Sequence, residues 1–226
     1  MSGRPHALLL VGSAKRPRST SESLGSYLMS RLAERGHETE SLSVHRSHRS
    51  REHLETLLDA VDRCDLLVLA FPLYIDSLPA LLTRTLELIA SRREGRERDS
   101  RQRLVAIVNN GFPEAEQNAV ALRICRRFAS ETGFEWAGGL ALGGGEAING
   151  RSLTESKGMA RNVVSSLDLA AEALAAGEPV PDRAVRLMAK PIIWSRIYTW
   201  IGTRGWRRRA SNHGVADRLR DQPYEQ

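Results

Sequence analysis

The sequence predicts a doubly wound α/β domain: a five-stranded parallel sheet between two layers of helices, followed by a carboxyl-terminal helical extension. Three observations carry this expectation. Strand-like and helix-like segments alternate from the first residues onward. Most of the strand-like runs are continuously apolar, as strands covered on both faces must be. The length, 226 residues, suits one such domain with an addition better than two domains.

Ala7-Leu8-Leu9-Leu10-Val11 is the first run, and Gly12 ends it. Leu24, Leu28 and Leu32 then recur every four residues, with Ser and Thr ahead as caps and Gly36 behind. Glu40 to Val44 alternates and reads as a weaker second strand, and Leu54, Leu57, Leu58 and Val61 mark one face of a second helix. Leu66 to Phe71 is a buried-type strand closed by Pro72. A helix is expected over Leu78 to Ile89, capped by Asp76 or Ser77 with Pro79 in its first turn. Residues 91–103 are mostly charged and read as a solvated connection. Leu104 to Val108 is the fourth strand, and Val120, Ile124 and Phe128 recur at helical spacing beyond it. Phe134 to Leu142 is the fifth strand, closed by three glycines. Ser152 and Glu155 form a capping-box pattern before an alanine-rich helix reaching about Ala176. Five such units in series imply parallel strands joined by right-handed crossovers. The prolines at 179 and 181 place the division between a core domain, 1–178, and an extension, 179–226.

Composition narrows the function classes. The apolar fraction is 41% and the charged fraction 27%, those of an ordinary soluble protein. With no signal-peptide-like start and no apolar stretch long enough to span a membrane, a cytoplasmic location is expected. Two cysteines, Cys64 and Cys125, lie far apart, which argues against a disulfide framework and against zinc or iron–sulfur sites. Both read as core thiols, and no metal is expected. His37, His45, His48 and His53 lie away from the ends of the strands and read as surface residues. The net charge is +6, but residues 183–226 hold ten Arg or Lys against three acids. The remaining residues hold 23 basic and 24 acidic side chains, so the body offers nothing for a nucleic-acid partner.

In open α/β sheets ligands bind beyond the carboxyl ends of the strands, where strand order reverses. Four loops at those ends are unusual. Gly12-Ser13-Ala14-Lys15-Arg16-Pro17-Arg18-Ser19-Thr20-Ser21 offers hydroxyls, cations and the free amides of a helix amino terminus, which suit a phosphate dianion. It carries neither GxGxxG nor a Walker pattern, and a polar turn with helix caps remains the alternative. Phe71-Pro72-Leu73-Tyr74-Ile75-Asp76-Ser77-Leu78-Pro79 puts apolar and aromatic residues where a solvated loop is normally polar. Either a flat apolar ring lies against it, or Leu73, Tyr74 and Ile75 pack under the next helix. Asn109-Asn110-Gly111-Phe112-Pro113-Glu114 joins amides, a glycine and an aromatic, and Gly143-Gly144-Gly145-Glu146 lets backbone amides approach a ligand.

Together these loops resemble those of the flavodoxin-like NAD(P)H-dependent FMN reductases and quinone reductases. GSAKRPRSTS is similar to that family's phosphate loop, FPLYIDSLP to its flavin-ring loop, and NNGFPE and GGGEAING to its third and fourth loops. The resemblance covers about residues 6–176, without the cysteine motif that some relatives carry. It implies that Ser13, Lys15, Ser19, Thr20 and Ser21 hold the FMN phosphate, and that Pro72, Leu73, Tyr74 and Ile75 line the isoalloxazine. Asn110, Gly111 and Phe112 would meet the ring edge, and Gly144 and Gly145 its pyrimidine side. The implied activity is hydride transfer from NAD(P)H to FMN and on to a quinone, flavin or similar small acceptor. The chemistry is the flavin's own, so no catalytic acid or base is implied. A homodimer is also implied. A flavodoxin-type electron carrier and a flavin-free scaffold of the same fold are the competing readings.

The extension has its own character. Ile193, Ile197 and Ile201 form a stripe flanked by Trp194, Tyr198 and Trp200, with Trp206 and Arg207-Arg208-Arg209 after it. Residues 191–209 could pack on their own domain, cover an active site, or lie on an anionic membrane surface, the last being the least favoured.

Overall fold

The computed structural model describes residues 3–15, 18–95, 102–154, 158–192 and 195–222, with side chains described from 203 onward in the last stretch. Five parallel strands, β1 (His6–Val11), β2 (Glu38–Ser43), β3 (Leu66–Pro72), β4 (Arg103–Asn109) and β5 (Glu135–Leu142), lie in the order β2-β1-β3-β4-β5. The order reverses between β1 and β3, which is where such a sheet opens a crevice. The helices are α1 (Thr20–Ala33), α2 (Val44–Ser47), α3 (Arg51–Arg63), α4 (Ala80–Arg93), α5 (Ala119–Thr132), α6 (Arg161–Ala175), α7 (Asp182–Met188) and α8 (Ser195–Asn212). This is the expected flavodoxin-like architecture.

The central strands are apolar through their middles because each face meets a different helical layer. Leu9, Val68, Ala70 and Ile107 point into one core, shared with Leu24 and Leu28 of α1 and Leu167 of α6. Leu8, Leu10, Leu67, Leu69 and Phe71 point into the other, shared with Leu57, Val61, Leu82 and Cys125. β2 alternates because it is an edge strand with exposed and half-buried positions. The opposite edge is covered. The Val180 amide donates to the Ala137 carbonyl at 2.7 Å, over a bulge where β5 slips register between Leu104 and Val105.

Four helix expectations change. Pro79 occupies the cap position of α4 and no side chain caps it, so neither Asp76 nor Ser77 does. α4 also runs on through Arg93, into the segment expected to be a connection, of which 96–101 lie outside the described residues. α6 begins at Arg161 and not near Ser152, and Glu155 lies outside the described residues. On α5 the buried face is Ala121, Cys125 and Ala129, while Val120 and Ile124 of the apolar stripe are 38% and 39% exposed. Small residues let α5 sit close to the sheet, and the larger ones face outward.

Both thiols are buried, and burial pushes each up to about 12, so neither is a thiolate near neutrality. His37 departs from the expectation of a surface site: it is 8% exposed. Burial, then Arg103, lowers its pKa from 6.5. Burial also lowers that of His48, helped by Arg84 and His45, and its Nε2 lies 2.8 Å from Thr85 Oγ1. As pH falls below 6.5 the unfolded chain therefore takes up protons before the folded one. The stability these neutral rings contribute is complete above that pH and is lost as pH drops through their lower folded values. Tm is expected to fall between about pH 7.5 and pH 5.5, and a His37→Gln/His48→Gln variant to fall less; scanning calorimetry at the two pH values checks this.

By its contacts the chain divides into 1–192 and 193–226. The first unit includes α7, whose Ala184 and Met188 are buried in the first core. In the second, Trp206 is 72% exposed and Arg207, Arg208 and Arg209 are exposed beside it. The side chains of Ile193, Trp194, Ile197, Tyr198, Trp200 and Ile201 lie outside the described residues. Among the described residues, no helix is long and apolar enough to cross a membrane.

Candidate functional site

The loops after β1, β3, β4 and β5 meet at the carboxyl edge of the sheet. The first starts at Gly12, where a Cβ would come within 2.8 Å of the Phe71 Cβ, so only glycine lets the chain leave β1 there. Ser19 caps α1: its Oγ accepts from the Glu22 amide at 3.1 Å. Thr20 Oγ1 donates to the Gly145 carbonyl at 2.7 Å, and Ser21 Oγ donates to Asn109 Oδ1 at 2.7 Å, both buried. The Lys15 ammonium donates to Asn149 Oδ1 at 2.6 Å, and Ser13 Oγ accepts from the Lys15 amide at 3.3 Å.

These bonds sort the five phosphate-loop residues. Ser13 and Ser19 accept hydrogen bonds, so their hydroxyl protons remain available to an anion. The hydroxyls of Thr20 and Ser21 are already donating. What these two can offer an anion is the amides of the first helical turn, which have no partner within the helix. Lys15 adds a positive charge at the rim.

The second loop is a tight turn. Tyr74 and Ser77 exchange backbone hydrogen bonds at 2.9 and 3.1 Å, with Ile75 at φ 47° and Asp76 at φ 58° between them. Positive φ at a β-branched residue is a real strain, on the order of 1–3 kcal/mol. The turn nonetheless holds Ile75 98% and Tyr74 52% exposed, while Leu73 packs against the second core. Of the two readings left open for this loop, packing under the helix holds for Leu73 alone. Phe112, 62% exposed, adds an aromatic group at the tip of the third loop.

Asn109 and Asn110 divide the work at the end of β4. Asn109 ties three loops together: its Oδ1 takes the Ser21 hydroxyl, its carbonyl takes the Leu73 amide at 2.8 Å, and its side chain packs beside Gly145. Asn110 donates Nδ2 to the Glu114 carbonyl at 3.0 Å, leaving its Oδ1 buried without a partner. A buried acceptor in that condition is costly, and a ligand donor at the ring edge would relieve it.

The glycine loop works differently from the sequence expectation. The Gly144 amide donates to the Phe112 carbonyl at 2.6 Å and the Gly145 amide to the Asn110 carbonyl at 2.8 Å. Their donors hold the third loop in place, so what they leave to a ligand is space. A Cβ at Gly143 would lie well inside contact with the Pro113 carbonyl oxygen, and one at Gly150 inside contact with the Arg18 carbonyl. Sequence reading placed Asn109, Gly143, Asn149 and Gly150 in the candidate loops but gave them no individual role. An Asn ending an otherwise apolar strand was the available signal for the first of these.

Residues 5–123, more than half of the chain, match the family model described as NADPH-dependent FMN reductase. The chain belongs to that family. As a member it is an FMN-dependent NAD(P)H oxidoreductase. No curated protein matches it. Among solved structures it is similar to the NAD(P)H:quinone oxidoreductase from Methanothermobacter marburgensis at 17% identity, over 76% of this chain and 100% of that one, with TM-score 0.56. It is similar to RosB with a bound 8-demethyl-8-formylriboflavin-5′-phosphate intermediate at 16% identity, over 89% and 87%, with TM-score 0.58. An FMN-dependent NADH-azoreductase from Bacillus anthracis, in complex with FMN, matches at 13% identity over 76% and 99%, with TM-score 0.54. At these identities the likenesses establish the fold.

The residues present fit the family's cofactor. A helix amino terminus with two free hydroxyl protons and a lysine suits a phosphate. Tyr74, Ile75 and Phe112 are apolar surface held out beside it, and Asn110 Oδ1 awaits a donor.

Proposed function

We propose that the protein holds FMN across the ends of β1, β3, β4 and β5 and uses it to reduce a quinone, flavin or similar small acceptor at the expense of NAD(P)H. One observation carries this reading: an anion-ready helix terminus and an exposed apolar platform stand side by side on loops cross-tied by Asn109. A helix terminus alone is common, and so is an exposed tyrosine. Their adjacency matches a ligand with a phosphate at one end and a flat ring at the other.

When bound, FMN supplies the hydride acceptance and donation. The chain's part is to bind and orient. Ser13, Lys15, Ser19 and the amides of Thr20 and Ser21 neutralise the phosphate. Pro72, Tyr74 and Ile75 would support the ring while Leu73 anchors the loop to the second core, and Gly111 and Phe112 would border the ring's edge. Asn110 Oδ1, buried without a partner, would accept a hydrogen bond from the ring's polar edge. Gly144 and Gly145 keep that side clear of side chains. The exposure of Ile75 and Phe112 leaves an open approach for first the nicotinamide and then the acceptor. Asn110→Ala is expected to weaken FMN binding roughly five- to tenfold, the worth of one hydrogen bond, and fluorescence titration reads it. NADH or NADPH oxidation with a quinone acceptor tests the function; a flavin-loaded protein that consumes neither nucleotide would leave the electron-carrier reading.

The homodimer belongs to the same reading. Leu78, Leu86, Val120, Ile124 and Phe128 line an apolar groove of about 550 Å³ between α4 and α5. Ile124→Glu is expected to convert a dimer to a monomer by sedimentation, whereas a wild type that sediments as a monomer contradicts it.

A further inference from the structure

The flavin reading makes no use of the carboxyl-terminal unit. There α8 ends in a Schellman turn. Gly214 lies just past the helix at φ 68°, and its amide donates to the Ser211 carbonyl at 3.0 Å. The Val215 amide donates to the Ala210 carbonyl at 2.9 Å, which sets Val215 beside Ala210. A single 3₁₀ turn, Ala216–Arg218, follows. Trp206 stands one helical turn before Ala210, and Leu219 comes directly after the 3₁₀ turn.

This backbone holds large apolar side chains out to solvent. Over residues 203–222 Ala210 alone is buried, while Trp206, Val215 and Leu219 are exposed. Packing on the domain, or covering that domain's own active site, would bury Trp206. The sequence ranks a membrane surface last among the uses of this segment, and the exposure of Trp206 reverses that order. Charge points the same way. The sequence of α8 holds five arginines and no acid, and Arg207, Arg208 and Arg209 stand exposed directly after Trp206. Arg218 is paired with Asp221 at 2.8 Å, so the excess belongs to the helix. Three of the chain's four tryptophans, Trp194, Trp200 and Trp206, fall in or beside α8, and such rings favour the headgroup level of a bilayer.

We propose that the carboxyl-terminal unit docks on an anionic phospholipid bilayer. Trp206, Val215 and Leu219 enter the boundary between headgroups and acyl chains, and the arginines of α8 meet the lipid phosphates. The contact is peripheral, because among the described residues no helix is long and apolar enough to cross a membrane. A nucleic acid fits less well. Its phosphates would use the arginines but leave Val215 and Leu219 without an apolar partner. The body, with 23 basic and 24 acidic side chains over residues 1–182, gives a polyanion no further track. The proposal goes beyond the flavin reading and does not depend on it.

The test is flotation of the full chain with vesicles of phosphatidylcholine, with and without phosphatidylglycerol. Binding is expected only where phosphatidylglycerol is present, and it is expected to fall steeply as salt is raised. The triple variant Arg207→Gln/Arg208→Gln/Arg209→Gln is expected to lose about a hundredfold in partition coefficient, roughly fivefold per charge. Trp206→Ser is expected to lose about tenfold. All four residues are exposed, so neither variant threatens the fold, and a thermal melt of each is expected to match the wild type. A wild type that ignores anionic vesicles overturns the proposal. So does binding that the arginine variant or Trp206→Ser retains in full. A chain that binds duplex DNA and leaves the vesicles alone overturns it in favour of a nucleic-acid partner. FMN affinity enters none of these outcomes, so a failure here leaves the oxidoreductase standing, and a failed FMN titration leaves the vesicle result readable.

Discussion

Ser19→Asp is expected to reduce FMN affinity by more than about a hundredfold while leaving Tm unchanged or slightly raised. The two effects separate because Ser19 does two things. As the cap of α1 its Oγ accepts from the Glu22 amide, a duty that a carboxylate performs as well as a hydroxyl. A negative charge at that end also favours the helix dipole. Toward a phosphate, however, the change removes a donor and sets like charge against a dianion at contact distance, worth roughly 4 kcal/mol at the effective dielectric of a protein surface. Fluorescence titration and a thermal melt on one sample read both quantities. Unchanged FMN affinity would put the phosphate elsewhere, and a fall in Tm would mean that the cap geometry is wrong.

Gly143→Ala is expected to do the reverse, damaging the site by damaging the fold. The added Cβ meets the Pro113 carbonyl oxygen and the Ala115 amide, which are backbone atoms and cannot swing away. Relief requires the third and fourth loops to part, which breaks the Gly144–Phe112 and Gly145–Asn110 hydrogen bonds and exposes Asn109. Two lost bonds and the accompanying strain come to about 3 kcal/mol, or a Tm lower by roughly 6–12 °C. Gly144→Ala is the control. That residue has φ 65° but open space around its Cβ, so the cost is the conformational one alone, about 1 kcal/mol. If the two variants melted alike, the loop contact would not be holding the site.

The sheet was legible because its physics is local to each strand. A run such as Leu66 to Phe71, apolar at every position, has to be covered on both faces, and only a parallel sheet between helical layers does that. The start of α6 was not, since Ser152 and Glu155 satisfy a pattern that also occurs in irregular loops. Nor was the orientation of α5. Its large apolar residues and its small ones make two stripes, and which faces the sheet depends on how closely the helix approaches, a tertiary fact. His37 was misjudged for the same reason, because a polar residue between a helix and an edge strand carries no sign of burial in its neighbours.

At the site, the residue types were legible and their division of labour was not. Ser19, Thr20 and Ser21 look equivalent in sequence, yet Ser19 caps a helix, Thr20 holds the fourth loop and Ser21 holds Asn109. The partners of Thr20 and Ser21 lie 125 and 88 residues away, beyond what spacing can convey. The three glycines read as open backbone for a ligand, whereas two of their amides are spent on the neighbouring loop. Ile75 at positive φ is also invisible in sequence, since no propensity places a β-branched residue there.

The most direct test of the central claim is a titration of the purified chain with FMN, followed by flavin fluorescence and visible absorbance, with NADPH added at saturation. Saturable one-to-one binding at micromolar FMN, followed by bleaching of the flavin band near ~450 nm on addition of NADPH, is the result expected of a phosphate cradle and ring platform that work together. No binding at micromolar FMN, or a bound flavin that neither NADPH nor NADH bleaches, would contradict it.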